Sequence, residues 1–217
     1  GYDQPPPVVP ERIQLPPATP ERPFTIGYVG SFYYTPYQRD LMFKPWWRKK
    51  PWQWLQYAPR REDWRYRSPW AFFAALKELR LRRPELFDLL RVEFIGDVPS
   101  WLTDMVKEHG LQQKVKLHGR VDHASSIRFQ AACDALLITS SKVVGGRDYS
   151  IAGKTFEYVA QVKPMLAFVC AGAQRDLLER TGLSIACPPD DAAAAADRII
   201  DLLEGRCTLR PDKAFIH

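Results

Sequence analysis

RVEFIGDVPSWLTDMVKEHGLQQKVKLHGRVDHASSIRFQAACDALLIT, residues 91–139, reads as strand, helix, strand, helix, strand, and that alternation decides the architecture. RVEFIG (91–96) is a β-rich apolar run ending in glycine, and 100–109 is a helix stopped by Gly110. Residues 114–118 form the next strand, with Gly119 after it. Asp122 is placed to cap a helix running to about Cys133, and ALLIT (135–139) is the third strand. These strand runs lack a clean polar alternation, so both faces are expected to be buried, as in a parallel sheet covered by helices on either side.

The same rhythm extends outward. Downstream lie a helix from 153 to 161, a strand at 164–169, a helix at 174–180, a strand at 183–187 and a helix at 190–204. That last helix opens on two aspartates, runs through alanines and ends at Gly205. Upstream, FTIGYVG (24–30) is a further strand, and 68–82 is a helix with Ser68 as cap and Pro69 at its first position. Ala71, Phe72, Ala75, Leu76 and Leu79 supply its apolar stripe. The expectation is an α/β domain over 24–217 with a doubly wound parallel sheet of about six strands, binding ligands at the strands' carboxyl ends. Residues 1–23 hold eight of the 19 prolines and read as an extended linker.

The chain has 217 residues, enough for a self-sufficient core. No run of about 18 apolar residues exists and no signal peptide opens it, so a cytoplasmic location is expected. Cys133, Cys170, Cys187 and Cys207 form no C-x-x-C pair and read as reduced thiols. His109, His118, His123 and His217 have no ligand spacing, so no metal and no cofactor are expected.

The net charge of +6 is concentrated. Nine basic residues and three acids lie between Arg39 and Arg67, and six of the seven tryptophans fall between Trp46 and Trp70. This Trp/Arg-rich insertion, about 36–66, can pack its rings on the domain or contact an anionic ligand or lipid surface. The latter would make the protein peripheral at the membrane. Nucleic acid is not expected, because no recognition motif accompanies the patch.

Three features point to a phosphate-bearing ligand. Gly30-Ser31 follows the first strand, where a small residue lets the backbone approach an anion. It is neither G-x-G-x-x-G nor a P-loop; Asp148 stands where the P-loop's first glycine would precede Gly153-Lys154-Thr155. The start of the helix at 153, with the Lys154 ammonium, suits a diphosphate. Glu157, three residues on, could accept hydrogen bonds from a ribose diol or serve only as a first-turn helix acid.

GKTFEYVAQVKPMLA (153–167) resembles the G-K-x-x-E-Y-x-A-x-x-K-P-x-L block of group 1 glycosyltransferases with the GT-B architecture. GYVGS (27–31), Arg67-Ser68-Pro69, FIGD (94–97), VKLHGRV (115–121) and ACDALL (132–137) are similar to further blocks of that family's carboxyl-terminal domain, in order. Gly1-Tyr2-Asp3 looks like the end of the segment preceding that domain.

The resemblance implies the donor-binding half of an enzyme that moves a hexosyl unit from a nucleoside diphosphate sugar, with retention. An amino-terminal acceptor domain would complete it. Gly30, Ser31 and Arg67 would face the donor diphosphate; Gly153, Lys154 and Thr155 would neutralise the leaving group; Glu157 would hold the ribose; Arg120 and Val121 would flank the base. The acceptor would be anionic or lipid-linked if the Trp/Arg-rich segment meets it. One departure stands out: the position eight before Glu157, a glutamate in many members, is Tyr149, with Asp148 beside it. Two alternatives follow: a non-catalytic nucleotide-binding module, or a GT-B nucleotide-sugar epimerase using His118 or His123.

Overall fold

The computed structural model describes residues 8–54 and 61–216. Gly1-Tyr2-Asp3 and residues 55–60 of the insertion lie outside the described residues. Six strands form one parallel sheet: β1 (Phe24–Val29), β2 (Leu90–Ile95), β3 (Val115–Leu117), β4 (Ala135–Thr139), β5 (Met165–Phe168) and β6 (Ser184–Ala186). Their order is β3-β2-β1-β4-β5-β6, every pairing parallel. Winding therefore reverses between β1 and β4, where such sheets open a crevice at their carboxyl ends.

The strands are buried on both faces, and their residues divide by parity. Along β4, Ala135 and Leu137 join one core cluster, while Leu136 and Ile138 join the other. On β5, Leu166 and Phe168 face the first cluster and Met165 and Ala167 the second. The first cluster takes the apolar faces of helices Trp70–Arg82, Ser100–Glu108 and Ala192–Leu203. Tyr158 and Leu178, from helices Lys154–Ala160 and Ala173–Thr181, belong to the second. A strand sandwiched in this way gains about 1.5–3 kcal/mol for each large apolar side chain on either face, which is why its sequence is apolar throughout.

Element ends follow local chemistry. Asp122 accepts a hydrogen bond from the Ser125 N–H, 2.9 Å, and Asp191 accepts one from Ala194 at the same distance. Gly110 takes φ +63 after the helix Ser100–Glu108. The helix expected from Ser68 begins at Trp70, and the Ser68 hydroxyl accepts the Trp70 N–H at 3.3 Å. A short helix, Pro84–Asp88, was not anticipated; Pro84 at its first position is the signal that marks it.

In the proline-rich stretch, Ile13–Gln14 pairs antiparallel with Thr208–Leu209, and Val9 and Leu15 are buried. This part of the stretch is joined to the end of the domain rather than free of it. The insertion contains the helix Pro36–Phe43 and a strand, Glu62–Asp63, antiparallel to Lys142–Val143. Arg39 grips Asp63 with two hydrogen bonds, 2.7 and 3.0 Å, fixing the helix to that strand. Cys133 and Cys187 are buried, and burial pushes the Cys133 thiol up to about 12. Among the described residues no helix is long and apolar enough to cross a membrane.

Candidate functional site

A cavity of about 400 Å³ opens at the point where the winding reverses. Tyr28, Val29 and Gly30 line it from the end of β1, Thr139, Ser140 and Ser141 from the end of β4. The segment from Ser150 to Lys154 closes one side and Arg67 another.

Gly30 has φ +106, a conformation open to glycine, and its N–H is tied to the Ile95 carbonyl of β2 at 2.8 Å. The chain can then turn so that Ser31 donates from Oγ to Asp97 Oδ2, 2.6 Å. Asp97 also receives both the Nε and Nη2 of Arg120, the latter at 3.0 Å. The hydrogen bonds from Arg120 and then Ser31 hold its carboxyl down at about 2. Asp97 thus couples the first loop to the Gly119-Arg120 turn.

Lys154 projects back over β1. Its Nζ lies 3.6 Å from the centroid of the Tyr28 ring, and Tyr28 stacks on Phe32 with centroids 3.7 Å apart. No carboxylate among the described residues lies within ion-pair distance of this ammonium. Burial pulls its pKa down to about 7, opposed by the more distant charge of Glu157. A partly desolvated ammonium that faces a cavity, with no carboxylate in ion-pair reach among the described residues, has the chemistry to take up an anion.

Arg67 supplies the second positive charge. Its Nη2 donates to Ser141 Oγ at 3.3 Å and Ser150 Oγ at 3.4 Å, and lies 3.5 Å from Glu62 Oε2. Beneath it, Asp148 is 2% exposed. Its Oδ2 accepts from Ser141 Oγ, 2.8 Å, and its Oδ1 from the Ser150 N–H, 3.0 Å. Burial pushes this carboxyl up, but the hydrogen bonds and Arg67 outweigh it, so it is held below its ordinary value. The acid at this position is therefore Asp148, in the cavity wall, while Tyr149 is 74% exposed.

Of the residues singled out from the sequence, Gly30, Ser31, Arg67, Gly153 and Lys154 line the cavity; Arg120, Val121, Thr155 and Glu157 do not. Arg120 is connected through Asp97, and Val121 is exposed beside it. Glu157 lies one turn beyond Lys154, and its Oε2 accepts from the buried Gln130 Nε2 at 3.2 Å. Thr155 corrects the expectation that it faces the leaving group: it is 0% exposed, and its hydroxyl accepts from Gln174 Nε2 at 3.0 Å. Gln174 in turn accepts the Ala152 N–H, 2.7 Å, so the pair braces the loop from below. Thr155→Val is expected to cost about 1–2 kcal/mol of stability in a denaturant titration while nucleotide affinity changes less than about twofold. His118 Nε2 is 2.8 Å from Glu93 Oε2, and neither it nor His123 lines the cavity.

Asp97, Gln174 and the Tyr28–Phe32 cradle join the site only in the folded chain. Asp97 directly follows FIG and could have been found as the first polar residue after a strand; the contacts of Gln174 and Phe32 leave no local signal.

Comparison with known proteins adds a family and a fold. A family model described as "Glycosyl transferases group 1" matches residues 65–205. The Pseudomonas aeruginosa protein named "Probable glycosyltransferase WbjE" is 35% identical over 112 residues, which cover 50% of this chain and 27% of that protein. Sucrose-phosphate synthase (tll1590) from Thermosynechococcus elongatus superposes with TM-score 0.53 at 16% identity, covering 85% of this chain and 37% of that one. Anabaena Alr3699/HepE, solved in complex with UDP and glucose, gives TM-score 0.51 at 18% identity, covering 85% and 39%. The chain thus spans well under half the length of these relatives, and the two structural likenesses bear on the fold.

Proposed function

We propose, for a chain that belongs to the group 1 glycosyltransferases, that the cavity between β1 and β4 receives the diphosphate of a nucleoside diphosphate sugar. In this reading the chain is the donor-binding half of an enzyme moving a hexosyl unit, with retention, to an acceptor held by an amino-terminal domain. The observation that carries it is Lys154: a half-buried ammonium with no carboxylate in ion-pair reach among the described residues, aimed into a cavity at the switch point of the sheet.

Transfer leaves charge on the departing nucleoside diphosphate, and preorganised cations stabilise such charge without reorganisation of water. Lys154 and Arg67, on different walls of the cavity, can divide that charge between them. Gly30 offers backbone without a side chain, so the diphosphate can approach the end of β1. The N–H groups of Gly153 and Lys154 have no acceptor among the described residues and point to the same use. Glu157 would receive the ribose hydroxyls with Gln130 holding its carboxylate, and Arg120 and Val121 would flank the base. Asp148, ionised and bonded on both oxygens, acts as a brace that sets Ser141, Ser150 and Arg67 around the sugar end.

Calorimetric titration of UDP, GDP, dTDP and ADP tests the reading. One nucleotide is expected to bind in preference to the others, and Glu157→Ala is expected to weaken it by about 1–3 kcal/mol, the value of a lost charged hydrogen bond. No heat from any of the four at millimolar concentration would remove the donor site from this chain. Unchanged affinity in Glu157→Ala would remove the ribose role alone.

A further inference from the structure

We infer that the middle of the tryptophan-rich insertion, residues 41–54, docks on an anionic phospholipid surface and so holds the cavity at the membrane face. The docking stands by itself; that it is a donor cavity being held there rests on the proposed function.

LMFKPWWRKKPWQW contains Lys44, Arg48, Lys49 and Lys50, four tryptophans and no acid. The acids of the insertion's returning strand are engaged near the cavity rim. Asp63 is held by Arg39, while Glu62 Oε2 accepts from Trp64 Nε1 at 2.9 Å and lies 3.5 Å from Arg67. The third acid, Asp40, is exposed one residue before this segment, so 41–54 itself carries four cations and no acid.

Apolar surface is gathered with it. Trp47 is 66% exposed and Trp52 63%, and Tyr37 also faces solvent. The Lys50 ammonium lies 5.0 Å from the centroid of the Trp52 ring, presenting a cation and an indole together. Large indoles left in water beside lysines are costly in an isolated soluble domain. At a lipid headgroup layer the rings enter the interface and the cations meet anionic lipid. Trp47, Lys50 and Trp52 lie outside the lining of the cavity at the switch point.

The excursion leaves from Tyr33 and returns at Arg67, both in the cavity wall, and the pairing of Glu62–Asp63 with Lys142–Val143 anchors its return. A bilayer bound at 41–54 would lie beside the cavity mouth. An acceptor carried on a lipid would be presented there.

Co-sedimentation of the 217-residue chain with vesicles of phosphatidylcholine, with and without about 30% phosphatidylglycerol, tests this. The chain is expected to partition at least about tenfold better onto the anionic vesicles and to lose that preference in high salt. Replacing Lys44, Arg48, Lys49 and Lys50 together by glutamine should lower partitioning about 100-fold or more. Trp47→Ala with Trp52→Ala should lower it about tenfold. Nucleotide affinity in solution should be unchanged in both variants, which reports their folding and separates this inference from the donor site. Equal partitioning onto neutral vesicles, retention by the glutamine variant, or preference for a single-stranded oligonucleotide over anionic vesicles would overturn it.

Discussion

Replacing Lys154 by methionine is expected to reduce nucleoside diphosphate affinity about 100-fold or more and, at the same time, to make the folded chain more stable below neutral pH. The binding loss follows from removing the ammonium that the cavity presents to a diphosphate; charge-assisted hydrogen bonds to phosphate are worth about 1.5–3 kcal/mol each. The stability gain follows from the linkage of protonation to folding. Lys154 falls from its ordinary 10.5 to about 7 because burial disfavours the ammonium. That change corresponds to about 5 kcal/mol at most. The side chain is half-buried and its ammonium rests on the face of Tyr28, so about 1–3 kcal/mol should appear.

The sign is definite. Below about pH 7 both folded and unfolded chains hold the proton, and the folded state bears the full cost of the buried charge. From there toward 10.5 the unfolded chain holds more protons than the folded one, so wild-type stability rises with pH while the methionine variant gains nothing from this group. Denaturant titrations of both chains at about pH 6 and pH 9 should show the advantage of the variant shrinking. The affinity of the wild type for nucleotide should fall with pH above about 7.5, by up to tenfold per pH unit, as the ammonium is lost. A pH-independent affinity would show that Lys154 does not carry the charge recognition. A residue that costs stability and supplies binding is what a functional site requires.

Gly96→Ala should be among the most damaging single methyl additions to the described residues. Gly96 takes φ +142, and an added Cβ would lie 2.2 Å from the Gly30 carbonyl oxygen. The obstacle is backbone, so no rotamer change relieves it; either β2 or the turn after β1 must move. Strain of this kind together with the lost packing should cost about 3–5 kcal/mol, or a melting temperature lower by about 10 °C. Nucleotide affinity should fall as well, because Gly30 and Ser31 are the residues displaced. Gly119→Ala is the control: φ is +75, yet nothing lies within 4 Å of the added carbon, so only the backbone preference of about 1 kcal/mol should be lost. Similar melting temperatures for the two variants would show that the contact between the turns after β1 and β2 is not what constrains the site.

The strands and most helices were legible in the chain because each is written in local terms. ALLIT is too apolar for a surface, and Asp122 and Asp191 cap the helices that follow them. Gly110 ends a helix where a left-handed residue is needed. Alternation of such segments is enough to specify a parallel sheet covered on both faces, and the glycine turn after β1 and the Gly153-Lys154 start of a helix follow from the same local grammar. Which residues meet across the carboxyl edge of that sheet is decided by strand order, which brings the ends of β1 and β4 side by side although about a hundred residues separate them. Only then does Lys154 lie over Tyr28, Asp97 join Ser31 to Arg120, and Thr155 turn away beneath Gln174. Secondary structure depends on neighbours a few positions apart and was readable; the electrostatics of the site depend on contacts across the sheet, which exist only once the hydrophobic faces of its strands have been buried.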